Sequence, residues 1–364
     1  MKINSPNIDR KEIGNAGHLE QHIFAAYVLQ APVHRPSCID ATEKMANFVK
    51  AVKFYNGVEC PILGLGTYRG KNQEVYDAVK HAIRAGYRHI DTALIYGNEA
   101  DVGRAINDSI KESAVKRKEL FVVTKLPGSC NRPNLVVPCL KKSLSTLKLS
   151  FIDLYLIHTP ISRVPLGDDI LDSNGKLDEN GDDIMDDINP VDTWKAMETC
   201  VDLGLAKNIG VSNFNSQQLQ AVLDDCRIKP VTNQVECHPF LPQTKLRKFC
   251  KDRGIVITTF RALGGQVRKP DAPSILDHEV VKKLAVHHSK SPAQILLRWQ
   301  VQQKDLIVLA KSTNFQRIES NTAIFDFELS EEDMNELAKL ECNFRYVPFL
   351  EGIASKQYPF HIEY

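Results

Sequence analysis

The chain has 364 residues, 43% hydrophobic and 25% charged, with a formal net charge of +1. That balance marks an ordinary globular protein and excludes an electrostatic case for nucleic acid or an anionic membrane as partner. No apolar run reaches the ~20 residues of a membrane span. Nine scattered cysteines without a Cys-x-x-Cys pair fit reduced thiols in a cytoplasmic protein better than a disulfide framework or a zinc site.

Residues 1 to about 50 combine mixed charge with Pro32 and Pro36 and show no period, so they are expected to form a poorly ordered extension. The acids Asp9, Glu12, Glu20 and Asp40 argue against a transit peptide, and Met45 is a candidate for an alternative start. From Phe54 onward two kinds of segment alternate. Apolar, β-branched runs predict strands over 62–67, 88–93, 120–126, 152–159, 207–213, 232–237, 256–263 and 306–312. Amphipathic patterns predict helices over 72–85, 98–111, 133–147, 191–203, 216–225, 242–253, 277–288 and 292–302. A last helix over 331–340 is announced by Ser330 with Asp333 three residues later, the spacing of a capping box. Eight strands, each followed by a helix, predict an α/β protein with a closed parallel (β/α)8 TIM barrel as a single domain over 51–364. One insertion, 161–190, follows the fourth strand. Its Asp/Asn/Gly runs lack the spacing of a calcium loop, so a polar loop on the active face is expected.

In such a barrel the working site lies at the carboxyl ends of the strands. Strand two ends in Asp91, with Tyr96 in the loop beyond. Strand three brings Lys125 after Leu-Phe-Val-Val-Thr, and strand four brings His158 after Leu-Tyr-Leu-Ile. Singly, such residues cap turns or pair structurally; four converging on one mouth suggest acid-base chemistry. A phenol has a pKa near ~10, and an ammonium within roughly 4 to 6 Å would lower it while a carboxylate keeps the ammonium in place. A neutral imidazole at His158 would orient a carbonyl toward the phenol. None of these groups donates hydride, which implies a nicotinamide.

The Gly-rich run from Gly64 to Gly70 misses the spacing of a Rossmann fingerprint. A better phosphate site is Lys311-Ser312-Thr313-Asn314 with Arg317 and Asn321, where cations, a hydroxyl and helix amides suit a 2′-phosphate; taken alone, Arg317 on a helix is more often a solvated charge. A metal-dependent hydrolase would need more histidines and acids at strand ends. The remaining pair, Glu236 and His238, is followed by Pro239, which suggests a loop role.

From about residue 52 to the end the chain resembles the aldo-keto reductase superfamily. The matching motifs are Leu63-Gly-Leu-Gly-Thr67, Gly86-Tyr-Arg-His-Ile-Asp-Thr92 through Tyr96-Gly-Asn-Glu99, Leu154-Tyr-Leu-Ile-His158, Gly210-Val-Ser-Asn-Phe214, Asn233-Gln-Val-Glu236, Lys311-Ser312 and Phe325-Asp-Phe-Glu-Leu-Ser330. The resemblance implies NADPH and a tetrad of Asp91, Tyr96, Lys125 and His158 with Tyr96 as proton donor. It implies that Ser212, Asn213 and Gln234 hold the nicotinamide carboxamide and that Lys311, Ser312, Thr313, Arg317 and Asn321 receive the adenosine phosphate. Gly66, Thr67 and Leu263 complete the expected cofactor site.

Several positions depart from the family's pattern. Where members usually place Trp, this chain has Tyr68, Pro127 and Thr159, giving a less aromatic substrate pocket. The ring expected to stack on nicotinamide is Phe260 rather than Tyr, and Arg261 and Ala262 replace a small polar residue and a proline, which offers Arg261 as an extra phosphate contact. A commonly acidic position near the adenine is Ser320. The tail's ending and the Thr and Pro replacements are similar to those of insect members. The expected protein is a monomeric, cytoplasmic, NADPH-dependent reductase of a small carbonyl compound. Its substrate, a sugar, lipid aldehyde or steroid-like ketone, would be selected by the loop 161–190, the segment after Leu263 and the tail 343–364. The alternative is a cofactor-binding barrel with a regulatory or structural role, supported by the substituted pocket.

Overall fold

The computed structural model describes residues 50–167, 174–265 and 272–364. The extension expected at the start of the chain lies outside these residues up to position 49, as do parts of the insertion and of the segment after Leu263.

Eight parallel strands close a barrel: β1 Leu63–Gly66, β2 His89–Asp91, β3 Phe121–Leu126, β4 Leu154–Ile157, β5 Ile209–Ser212, β6 Thr232–Glu236, β7 Val256–Phe260 and β8 Leu306–Lys311. They pair in chain order, and β8 pairs back to β1. The apolar runs are continuous because helices cover the outer face while side chains fill the interior; every residue of β3 is buried. The surrounding helices are α1 Asn72–Arg84, α2 Glu99–Lys111, α3 Pro133–Leu147, α4 Pro190–Asp202, α5 Ser216–Asp225, α6 Thr244–Asp252, α7 Glu279–His287, α8 Pro292–Val301, α9 Phe315–Ser320 and α10 Glu331–Ala338. In α1, Val75, Ala78, Val79, Ala82 and Ile83 form the one buried stripe that its sequence spacing dictates. The capping box at α10 is made: Ser330 Oγ accepts from Asp333 N (3.1 Å), and the Asp333 carboxylate from Ser330 N (2.9 Å).

The differences from expectation are local. A hairpin of Ala51–Lys53 with Glu59–Pro61 precedes the barrel, its strands too short to show a period. Phe54 packs edge-on against Phe121 at the start of β3, which puts the hairpin at the barrel's amino-terminal mouth. Strand β7 stops at Phe260, three residues early, because Arg261 adopts the left-handed conformation (φ 57°). The helix expected over 277–288 is a short 3-10 turn, Ile275–Asp277, followed by α7. The insertion is not plain loop: Ser162–Arg163 pairs antiparallel with Met185–Asp186. The tail folds back onto the start of α5, where Asn215 Nδ2, Gln218 Nε2 and Ser216 Oγ donate to the carbonyls of Pro359, Gln357 and Tyr364 (3.0, 2.9 and 2.8 Å). Eight cysteines lie in the described residues, none of them in a disulfide and six of them buried. Among the described residues no helix is long and apolar enough to cross a membrane.

Candidate active site

The carboxyl ends of β2 and β3 place an acid and an ammonium side by side inside the barrel. Lys125 Nζ donates to Asp91 Oδ1 at 2.5 Å and to the Thr92 carbonyl at 2.9 Å, with Tyr96 Oη at 3.4 Å. A fully buried lysine is tolerated only with such partners. The other carboxylate oxygen, Asp91 Oδ2, accepts Gln234 Nε2 from β6 at 2.9 Å. Tyr96 closes a 3-10 turn, Leu94–Tyr96, and Gly97 at φ 65° turns the chain into α2. Asn98 holds that turn: its buried amide donates to the Thr67 and Gly70 carbonyls (both 2.9 Å), and its oxygen accepts Thr92 Oγ1 (3.1 Å). The Tyr96 ring meets Tyr68 and His158 edge-on, with centroids 5.1 and 5.7 Å apart.

Burial pushes the Tyr96 phenol well above its ordinary pKa of 10, and the charge of Asp91 and neighbouring Tyr68 add to the rise; only Arg261 pulls the other way. The net direction is the opposite of the lowering expected from Lys125, whose pull burial outweighs. The ammonium lies closer to Asp91 than to Tyr96, so the carboxylate offsets its field at the phenol. Burial also lowers Lys125, with Asp91 holding it up. His158 is held well below 6.5 by burial and by the charges of Lys125 and Arg163, so its imidazole is neutral at neutral pH.

Beside this group, Ser212 Oγ donates to the Gln234 carbonyl (2.7 Å), and Asn213 Nδ2 donates to the His158 carbonyl (2.8 Å) and to Ser212 Oγ (3.0 Å). Asn213 stands at φ 63°, a conformation Asn tolerates better than most residues. One cavity of about 440 Å³ is lined by Gly66, Tyr68, Asp91, Tyr96, Pro127, His158, Thr159, Ser212, Asn213, Gln234, Phe260, Arg261, Leu263 and Lys311. Lys125 lies buried behind that wall. Thr67 is buried as well, giving both its N–H (3.0 Å) and its hydroxyl (3.1 Å) to the Asp91 carbonyl.

Ser312, Thr313, Arg317 and Asn321 do not line the cavity. They cluster around α9: Ser312 Oγ accepts Asn314 N (3.2 Å), Asn321 is buried at the helix's far end, and Arg317 is exposed. The helix amides expected for phosphate are partly used, since Arg317 N donates to Asn314 Oδ1 (2.9 Å). Lys311 is lowered by burial and by the neighbouring charges of Arg317 and Arg69, with Glu74 opposing, which makes the end of β8 a cationic corner.

The cavity is also lined by Ile161, Arg163, Val347, Phe349 and Glu351, from the insertion and the tail that the sequence marks as substrate-selecting without singling out these residues, and by Ile95, which it does not mark. All but Ile95 come from the insertion or the tail, where no periodicity fixes direction. Glu236, weighed above as a metal ligand, is instead the anchor of the tail. Its Oε1 accepts Tyr346 N (2.6 Å), its Oε2 accepts Val347 N (2.8 Å), and His238 Nε2 lies 2.9 Å from Oε1.

The model of the Aldo/keto reductase family matches residues 62–341, more than half of the chain. The chain belongs to the aldo/keto reductase family. Over 322 residues, 86% of this chain and 98% of the relative, it is 44% identical to Dihydrodiol dehydrogenase 3 of Bos taurus, and equally so to Prostaglandin F synthase 2 of the same species. It is 43% identical over 324 residues to Aldo-keto reductase family 1 member C2 of Homo sapiens, covering 86% of this chain and 98% of that one. Among solved structures, the aldose reductase from Schistosoma japonicum is 40% identical with a TM-score of 0.80, covering 86% of this chain and all of the other. This aldo/keto reductase is therefore an oxidoreductase that reduces aldehyde or ketone groups, and its barrel is the one the eight strand patterns called for.

Proposed function

We propose that this aldo/keto reductase uses NADPH and that Tyr96 gives the proton to the carbonyl oxygen. The observation that carries this reading is the run from Asp91 through Lys125 to Tyr96, with contacts of 2.5 and 3.4 Å, in the wall of a cavity that also presents Ser212, Asn213, Gln234 and Phe260. When bound, the nicotinamide supplies hydride to the carbonyl carbon.

The residues present fit that cofactor. Among the described residues Asn213 Oδ1 and Gln234 Oε1 accept no hydrogen bond, which suits the two N–H donors of a carboxamide. Phe260 and Arg261 line the same cavity, and Lys311, with Arg317 and Arg69 near it, offers cations for phosphate. Ser312, Thr313 and Asn321 stand beside that corner, Gly66 and Leu263 line the cavity, and Thr67 is buried behind Gly66. Tyr68, Pro127 and Thr159 would face the substrate.

A carbonyl oxygen set between Tyr96 and neutral His158 receives two hydrogen bonds, both strengthening as negative charge grows on it. The phenol, protonated at neutral pH, releases its proton only then, and Lys125 beside it stabilises the phenolate left behind. Asp91, tied by Gln234 and the Thr67 side of the barrel, keeps Lys125 in reach. The intact tetrad supports turnover over the regulatory role. Free buried thiols support a cytoplasmic location, and a monomer would give the single-chain mass in light scattering.

Tyr96→Phe tests the reading. It should lower kcat for a simple aldehyde by about 100-fold or more, with NADPH affinity by fluorescence titration kept within about twofold. Undiminished turnover would end the proposal.

A further inference from the structure

The insertion and the tail meet over one side chain, Arg163. Its side chain is only 21% exposed and lines the cavity. Three neighbours aim it. Gly175 packs on its stem so closely that an added Cβ would lie 2.8 Å from Arg163 Cβ and 3.4 Å from its Cδ. Asp183 Oδ2 stands 3.2 Å from Nε, and Glu351 Oε1 stands 3.8 Å from Nη2. Among the described residues these ion pairs are its polar contacts, and no well-aligned hydrogen bond occupies its five N–H donors. The other cations lining the cavity, Arg261 and Lys311, stand on the side assigned above to the cofactor, whereas Arg163 is close enough to His158 to lower its basicity.

Glu351 indicates what this guanidinium is placed to hold. It is a carboxylate reaching in from the tail, in the short turn Leu350–Gly352, with 53% of its side chain exposed. At 3.8 Å it is beyond hydrogen-bond reach, and so exposed a pair is easily displaced. Asp183 stands at Nε, and Arg163 itself lines the cavity, where a planar guanidinium can take a carboxylate bidentately.

We propose that Arg163 anchors a carboxylate on the substrate, so that the preferred compounds are aldehydes or ketones carrying a carboxylate a few bonds from the carbonyl group. Glu351 is the internal competitor that fills this place until such a substrate enters. The inference rests on the proposed reductase reading, with the carbonyl group set at Tyr96 and His158.

The test compares 4-carboxybenzaldehyde with 4-methylbenzaldehyde, of similar shape and different charge, using the full chain and NADPH. The ratio of their kcat/KM values is taken within one preparation, so partial loss of folded protein cancels. Arg163→Met should lower the acid-to-neutral ratio at least tenfold, Arg163→Lys should give an intermediate ratio, and Glu351→Gln should raise it. A ratio within twofold of the parent's in Arg163→Met overturns the inference and leaves the reductase reading standing. Should the parent reduce neither aldehyde, the Tyr96 reading fails, and calorimetry of 4-carboxybenzaldehyde binding to the NADP+-loaded protein decides the anchor. Tenfold weaker binding in Arg163→Met supports it; equal binding, or none to the parent, overturns it.

Discussion

The floor of the cavity is carried by strands and its rim by loops, and the two are held in different ways. On the floor, Asp91, Lys125 and Gln234 are buried, come from three strands of one closed barrel, and meet at the Asp91 carboxylate within 2.9 Å. On the rim, Arg163 and Glu351 are 3.8 Å apart, and Lys356 reaches Asp187 at 2.5 Å with most of both side chains in solvent. Strand pairing fixes the floor as a unit, because β1, β2, β5 and β6 are locked by Gly66 against Asp91 and Ser212 against Gln234. The rim can change without disturbing that pairing. Chemistry is thus placed where backbone geometry is stiff, and selection of the compound where it is adjustable.

If that contrast holds, the largest effect belongs to Lys125→Met. It leaves Asp91 buried without its cation, which should cost about 3 to 5 kcal/mol in urea unfolding and reduce kcat by about 100-fold or more. A stable, active variant would break the comparison. Glu236→Gln comes next. An amide offers one acceptor oxygen where the carboxylate has two, so Tyr346 N or Val347 N loses its partner, at about 1 to 3 kcal/mol. KM for a bulky ketone should rise several-fold while kcat for a small aldehyde stays nearly constant.

Acid sensitivity is third. His158 is held well below 6.5 when folded, so the unfolded chain takes up a proton first as pH falls through about 6.5. Stability present above that pH is lost on the way down to the folded value, by up to about 1.4 kcal/mol per pH unit for each such histidine. His89 is lowered too, chiefly by burial, so His158→Gln should make the decline shallower without abolishing it. Lys356→Ala, removing an exposed rim pair, should cost no more than about 1 kcal/mol. The smallest expected change is none at all: carbonyl reduction should be flat between about pH 6.5 and 9, because burial keeps the Tyr96 proton on. A fall centred near 7 to 8 would mean that the pull of Lys125 outweighs burial after all.

That last point marks where sequence reading stops. The eight apolar runs and the capping box at Ser330 are local patterns, and they locate the strands that carry Asp91, Lys125, His158 and Gln234. The acidity of Tyr96 depends on how deep it lies and on which neighbour Lys125 faces more closely, and neither is local. Strand β7 was read too long because a left-handed arginine leaves no mark in hydrophobicity. The work of Glu236 is equally hidden, since its partners lie 110 and 111 residues away. Arg163 follows the fourth strand by only a few residues, yet its direction is set by Gly175 and Asp183 across a hairpin whose two-residue strands carry no signal.

The left-handed turn at Arg261 has an evolutionary consequence. A side chain other than glycine at φ 57° costs about 1 kcal/mol or more. A library sorted for heat tolerance should therefore drift to glycine at position 261, whereas one sorted for turnover under scarce cofactor should keep arginine there. The divergence of the two libraries would show whether that strain is a relic or the means by which a charge reaches the cavity.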